Sequence, residues 1–160
     1  PVTEAPMLAV QRACAGRTPT SAQFECWVSA ALEGAQAEPA AVSLRVVDEP
    51  EGATLNEAWR GRAGPTNVLS FPADLSENPA VRILGDLVLC APVVRREARA
   101  QRKGQRAHWA HLVIHGTLHL LGYDHEDDGD AQVMEALERE VLASLGFPDP
   151  YREENERLYD

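Results

Sequence analysis

Three of the chain's five histidines fall within "HGTLHLLGYDH", residues 115 to 125. His115 and His119 are four residues apart, which on a helix places them on one face with Cβ atoms about 5–6 Å apart. Two imidazoles so placed can reach one ion. His111 extends the row, but it stands eight residues from His119, a rise of about 12 Å. Zinc bonds nitrogen at about 2 Å, so the ion takes either the 111/115 pair or the 115/119 pair. Gly122 favours the second, because it lets the chain leave the helix in a left-handed conformation just after His119. The chain then doubles back, and His125 approaches the same ion. Three neutral imidazoles leave one tetrahedral position open, the pattern of a catalytic zinc. Such an ion lowers the pKa of a bound water toward about 7, or polarises a phosphoryl oxygen. His108 and His111 read as hydrogen-bonded helix residues instead.

The spacing matches the peptidase pattern H-E-x-x-H-x-x-G-x-x-H at every position but one. Gly116 stands where those enzymes carry the glutamate base. Glycine takes no proton, so a zinc metallopeptidase with a base from elsewhere is the weaker expectation.

The elements that must position these residues follow from periodicity and punctuation. "TSAQFECWVSAALEGA" has helical spacing through Phe24, Trp27, Val28, Ala31 and Leu32, with a Thr/Ser start and a stop at Gly34. "AVSLRVVD" alternates as a strand, and "ATLNEAWRG" reads as a short helix ending at Gly61. "TNVLSFPA" is a strand closed by Pro72, "ENP" (77–79) a surface loop, and "ILGDLVLCA" a central strand. Pro92 opens a helix running to about Gly104. A second runs from about Gln105 to Leu121. A third starts near Asp128 or Asp130, buries Val133, Met134, Leu137, Val141 and Leu145, and ends at Gly146 and Pro148. Strands first and helices later predict an α+β domain, with a small mixed sheet of about four strands and five to six helices. We expect one domain over 1–160, with a core of about 4–147 and an acidic C-terminal tail, 148–160.

The net charge of −10 argues against broad, non-specific nucleic-acid binding, and DNA is not expected. The charge is uneven, however. "RREARAQRKGQR" (95–106) holds six of the fifteen Lys and Arg. At 100° per residue, Arg95, Arg96, Arg99, Arg102 and Lys103 share one helix face, a stripe that could hold an RNA backbone. No apolar run nears the roughly 18 residues of a membrane span, and "PVTEAPMLAV" lacks a signal-peptide pattern. Cys14, Cys26 and Cys90 are scattered in apolar settings and read as reduced core thiols in a cytoplasm. Asp86, inside an apolar strand, reads as a buried acid that orients a zinc histidine or caps a helix. Asp124 shapes the turn before His125, and Thr66, Asn67 and Ser70 can bond backbone or substrate. Trp27, Trp59 and Trp109 read as core or partly buried packing residues rather than base-stacking platforms.

"HLVIHGTLHLLGYDH", "WRGRAGPTNVLSFP" and "LGDLVLCA" together resemble the YbeY family of bacterial endoribonucleases, over roughly residues 41 to 152. The resemblance implies a zinc-dependent, single-strand-selective RNA hydrolase holding one ion per chain. It implies action at the 3′ end of small-subunit ribosomal RNA, in ribosome quality control, and in the cytoplasm beside small-subunit components. It carries the zinc ligands onto His115, His119 and His125, and the family's functional arginine onto Arg60. A guanidinium suits a phosphate, since its fork matches two oxygens and its charge never titrates away. The expected catalytic residues are Arg60 and His115, and the expected RNA-binding residues are Arg60, Arg62, Arg95, Arg99 and Arg102. A third expectation, a non-enzymatic rRNA-binding assembly factor, keeps the metal as a structural tie alone.

Overall fold

A four-stranded sheet forms the middle layer of the computed structural model, which describes residues 8–73 and 82–152. The expected "ENP" loop, residues 4–7 of the expected core and 153–160 of the expected tail lie outside the described residues. The strands are β1 (Leu8–Ala13), β2 (Ala41–Val47), β3 (Val68–Pro72) and β4 (Ile83–Cys90), in the order β1-β2-β4-β3. β1 and β4 flank β2 in parallel, and β3 runs antiparallel to β4 along one edge. The mixed α+β architecture is the expected one. β1 was not expected, because only Leu8 and Val10 of its six residues are even partly buried.

The helices are α1 (Ser21–Gly34), α2 (Glu49–Arg60), α3 (Ala91–Ala100), α4 (Gln105–Leu120) and α5 (Asp128–Ser144). α1 starts on a capping box, in which Thr20 accepts from the Gln23 amide and Gln23 accepts from the Thr20 amide. α2 is longer than expected. Pro50 sits in its first turn, Glu49 and Glu51 meet the positive helix end, and Gly61 ends it at φ 67°. The helix continues through buried Gly52, where a Cβ would stand 3.2 Å from Cys90 Sγ and press on it.

α3 stops at Ala100, four residues short of Gly104. Arg102 takes the left-handed position itself, at φ 55°, and the Lys103 amide reaches back to the Ala98 carbonyl. This is the hydrogen-bond pattern that glycine usually closes. Arg102 and Lys103 therefore leave the helix, and the expected five-residue basic face is reduced to Arg95, Arg96 and Arg99.

α4 is the buried helix, with ten of its sixteen residues inside. The main core joins α1, α4 and α5 to one sheet face through Phe24, Trp27, Leu44, Leu87, Ile114, Leu118 and Leu142. A smaller cluster on the other face joins Val47, Leu69, Val88, Cys90 and Val93, with Leu55 of α2 and Phe71 against it. Asp86 points to that second face where α2 leaves it open, so it is exposed. The expectation of a buried acid there fails, because the strand's apolar run is covered on one side only. Val133 is likewise 59% exposed, since α5 turns Met134, Glu138, Val141 and Leu142 inward instead. Of the cysteines only Cys90 is buried; Cys26 is exposed and Cys14 half-buried, and all three are unpaired.

Candidate metal centre

His115 and His119 project from α4 as neighbours on one face, with ring centroids 4.6 Å apart. Their Nε2 atoms face each other at 3.1 Å. A tetrahedral ion with nitrogen bonds of 2.0–2.1 Å sets two ligand atoms about 3.3 Å apart. The pair is thus already at coordination spacing. The chain then turns at Gly122, φ 102°, with the Gly122 amide bonded to the His119 carbonyl and the Tyr123 amide to the Leu118 carbonyl. That is a Schellman end, and it folds residues 123–125 back over the helix. Asp124 fixes the last step, its Oδ1 accepting from the His125 amide at 2.7 Å. The His125 ring arrives 5.0 Å from His119 and 5.6 Å from His115, centroid to centroid. One donor atom from each of the three lies within 4.8 Å of the others. The donor set, three imidazoles with one open side, suits a zinc-like ion.

The tautomer of His115 is fixed from behind. Its Nδ1 bonds Glu138 Oε1 at 2.5 Å. A carboxylate only accepts, so Nδ1 carries the hydrogen and Nε2 presents its lone pair toward His119. Glu138 is 0% exposed on α5. Its Oε2 accepts from His111 Nε2 at 2.9 Å and from the Tyr151 hydroxyl at 2.5 Å. Burial works to raise the Glu138 carboxyl, but the hydrogen bonds from His111 and His115 outweigh it and hold the group ionised, well below the usual carboxylate range. Burial first, and the Glu138 charge second, push the Tyr151 hydroxyl far up. Burial, then the neighbouring His115 and His125, push His119 down and keep it a neutral ligand. One donor atom from each of His111, His115 and Glu138 also lies within 4.8 Å of the others, but both Glu138 oxygens are already engaged by ring and hydroxyl donors.

Sequence reasoning missed Glu138 and Tyr151. The signal for Glu138 was a carboxylate between Met134 and Val141 on the buried stripe of α5. Residues 148–152, taken as the start of the tail, fold back on the site. Lys103 Nζ bonds the Pro150 carbonyl at 2.7 Å, and Arg139 pairs with Asp149 at 3.2 Å.

The histidines open onto a cleft of about 680 Å³ that wraps the edge strand β3. Arg60, Arg62, Trp59, Ser70, Asp124 and Glu126 line it with His115, His119 and His125. The structure therefore brings Arg60 and Arg62 into the histidine cleft. Arg95, Arg99 and Arg102 lie elsewhere. Arg95 is spent on the Ala15 and Arg17 carbonyls, at 3.0 and 2.7 Å. Arg99 is exposed on the last turn of α3, and Arg102 borders a separate hollow with His108 and His111. His108 bonds Glu97 at 3.0 Å, and Asn67 bonds the same carboxylate. Ser70 donates to the Gly116 carbonyl at 3.0 Å. Gly116 itself faces the sheet: a Cβ there would stand 2.8 Å from Leu87 Cδ2 and 3.2 Å from Val68 Cγ2 and Ser70 Oγ. The position has no room for the glutamate of the peptidase pattern.

Among solved structures, the fold resembles the solution structure of TM1509 from Thermotoga maritima. The TM-score is 0.56 at 26% identity, covering 87% of this chain and 91% of that one. Among curated proteins, the chain is 56% identical over 141 residues to endoribonuclease YbeY of Xanthomonas axonopodis pv. citri, covering 86% of this chain and 87% of that protein. It is 55% identical over 158 residues to endoribonuclease YbeY of Alkalilimnicola ehrlichii, covering 94% and 95%. The family profile described as endoribonuclease YbeY matches residues 13–146, which takes in the central helix, the Gly122 turn and the α5 brace alike. By that match and by identity along nearly its whole length, the chain belongs to the endoribonuclease YbeY family.

Proposed function

We propose that the protein is a zinc-dependent endoribonuclease that cuts single-stranded ribosomal RNA precursor. The observation that carries this reading is the cleft in which Arg60 and Arg62 face the convergent His115, His119 and His125. Family membership supplies the reaction class, because the relatives are named endoribonucleases. His115, His119 and His125 would hold one ion, with zinc favoured by three imidazoles. When bound, such an ion acts as a Lewis acid toward a phosphoryl oxygen and makes water a competent nucleophile near neutral pH.

The chain's own residues do the rest. Glu138 keeps His115 in the tautomer that offers Nε2 to the site. Arg60, exposed at the end of α2, takes a phosphate by its fork and offsets the charge that grows on the phosphoryl oxygens in the transition state. Arg62 adds a second positive group on the same side. Arg99 and Arg102, exposed and outside the cleft, are proposed to contact RNA backbone away from the cut; Arg95 is proposed with them only insofar as it leaves its carbonyl partners. The family resemblance further supports action at the small-subunit RNA 3′ end and in ribosome quality control, in the cytoplasm, with small ribosomal subunit components as partners. No helix among the described residues is long and apolar enough to cross a membrane.

The peptidase alternative is disfavoured by Gly116, which packs against Leu87 where that chemistry needs a carboxylate. Incubation of the metal-loaded protein with an unstructured RNA and an unstructured peptide separates the two. We expect RNA cleavage alone; cleavage of peptide alone reverses the assignment. Arg60→Glu is expected to keep fold and metal content while cleavage drops at least a hundredfold, on the order of other lost transition-state charge contacts. Retained cleavage in that variant removes Arg60 from the mechanism. Absent cleavage by the loaded wild-type protein, with RNA binding intact, favours the assembly-factor reading.

A further inference from the structure

Trp59 sits on the last turn of α2, one residue before Arg60, and is 54% exposed. The other two tryptophans, Trp27 and Trp109, are each 3% exposed in the main core. Trp is highly buried on average, and here the exposed indole lies in a polar cleft beside Arg60. Trp59 packs against Phe71 of β3, with centroids 4.7 Å apart and planes tilted by 52°. It also lines the cleft that holds Arg60, Arg62 and the three histidines. Gly61, ending α2 in the left-handed region, fixes where the helix stops and so where Trp59 and Arg60 stand.

We infer that Trp59, braced by Phe71, is a stacking platform for an unpaired nucleobase of the RNA strand whose phosphate lies at Arg60. The inference rests on the endoribonuclease reading and adds a base-binding subsite to it. A bare base has a π-face that any indole can stack on, whatever the sequence. A paired base has both faces covered by its neighbours. The platform therefore accepts single strands of varied sequence and refuses duplex. The arginine beside it supplies the complementary half: cation for the backbone, ring for the base, from consecutive residues of one helix turn. Phe71 is already packed against the smaller core cluster, and more than half of the Trp59 surface stays exposed.

The test uses metal-free protein, so that no strand is cut. Fluorescence is read while a short unstructured RNA is added; Trp27 and Trp109, both buried, serve as a constant background. We expect quenching by this RNA, little by the same strand carrying abasic residues, and little by its duplex. Trp59→Ala and Trp59→Leu are expected to weaken binding, read by anisotropy of labelled RNA, about tenfold. Trp59→Phe is expected to recover most of that loss. Leucine keeps a cover over Phe71, so its failure to rescue separates stacking from packing. Equal binding of abasic and intact RNA, or unchanged binding in the leucine variant, overturns the platform. Loaded wild-type protein is assayed for cleavage in parallel. Cleavage without Trp59 quenching sinks the platform alone, and quenching without cleavage sinks the nuclease reading alone.

Discussion

Glu138 Oε1 accepts a hydrogen bond from Nδ1 of His115, across the interface between α5 and α4. The contact makes one buried carboxylate responsible for the aim of a ring in the candidate metal centre. Partners of this kind are typically worth 10–100-fold in metal affinity. Glu138→Gln should therefore bind zinc about tenfold or more weakly in a competition titration against a chromophoric chelator. Its far-UV circular dichroism should stay that of the wild type. Wild-type affinity in the glutamine variant would remove Glu138 from the aiming of His115.

Tyr151 offers a milder version of the same experiment. Its hydroxyl donates to Glu138 Oε2 beside His111. Tyr151→Phe removes one donor from a buried charge, at a cost of about 1–3 kcal/mol in stability. Thermal denaturation of metal-free protein is the measurement. The zinc affinity should fall less than in Glu138→Gln, because the His115 contact survives.

Gly116 should resist any side chain. A Cβ would meet Leu87 Cδ2 at 2.8 Å, and overpacking of this kind costs about 1–3 kcal/mol. Gly116→Ala is expected to lower the melting temperature, and Gly116→Glu to lower it further without creating peptidase activity. A stable Gly116→Glu protein that cleaves peptide would contradict the packing described.

Gly122 is the opposite case. Nothing stands within 4 Å of a Cβ there, yet its φ is 102°. A non-glycine residue is strained in that region by about 1–2 kcal/mol. Gly122→Val should relax by shifting the turn, so the signature to look for is weakened zinc binding. Gly122→Val with unchanged metal affinity would show that His125 reaches the site without this bend.

Acid stability offers a check remote from the metal. Burial works to raise the Glu97 carboxyl, but hydrogen bonds from His108 and Asn67, with the His108 and Lys103 charges, hold it below the usual value. A depressed carboxyl stabilises the fold above its unfolded pKa, about 4.3, and loses that contribution as pH falls through the folded value. Glu97→Gln should thus melt below the wild type at pH 6, with the gap closing as pH falls below about 4. A gap that widens on acidification would reverse the sign.

The convergence of His115, His119 and His125 could be read from sequence because its signals are local: a four-residue helical spacing and one glycine turn. The main helices were readable for the same reason, since Phe24, Trp27, Val28, Ala31 and Leu32 repeat at helical period within one segment. β1 was not, because as an edge strand it carries only two partly buried residues. The end of α3 was misplaced because Arg102 does what glycine normally does. Asp86 and Val133 were assigned to the inside because apolar neighbours do not reveal which face another element covers. Glu138 and Tyr151 act across 23 and 36 residues from His115, and no local pattern joins them.

That separation has a temporal side. During synthesis the three imidazoles leave the ribosome before the α5 carboxylate, and Tyr151 follows later still. A nascent chain thus presents unaimed rings first and acquires the groups that orient them afterwards. On the proposed zinc reading, the rings are fully aimed for an ion only once α5 has docked and residues 148–152 have folded back.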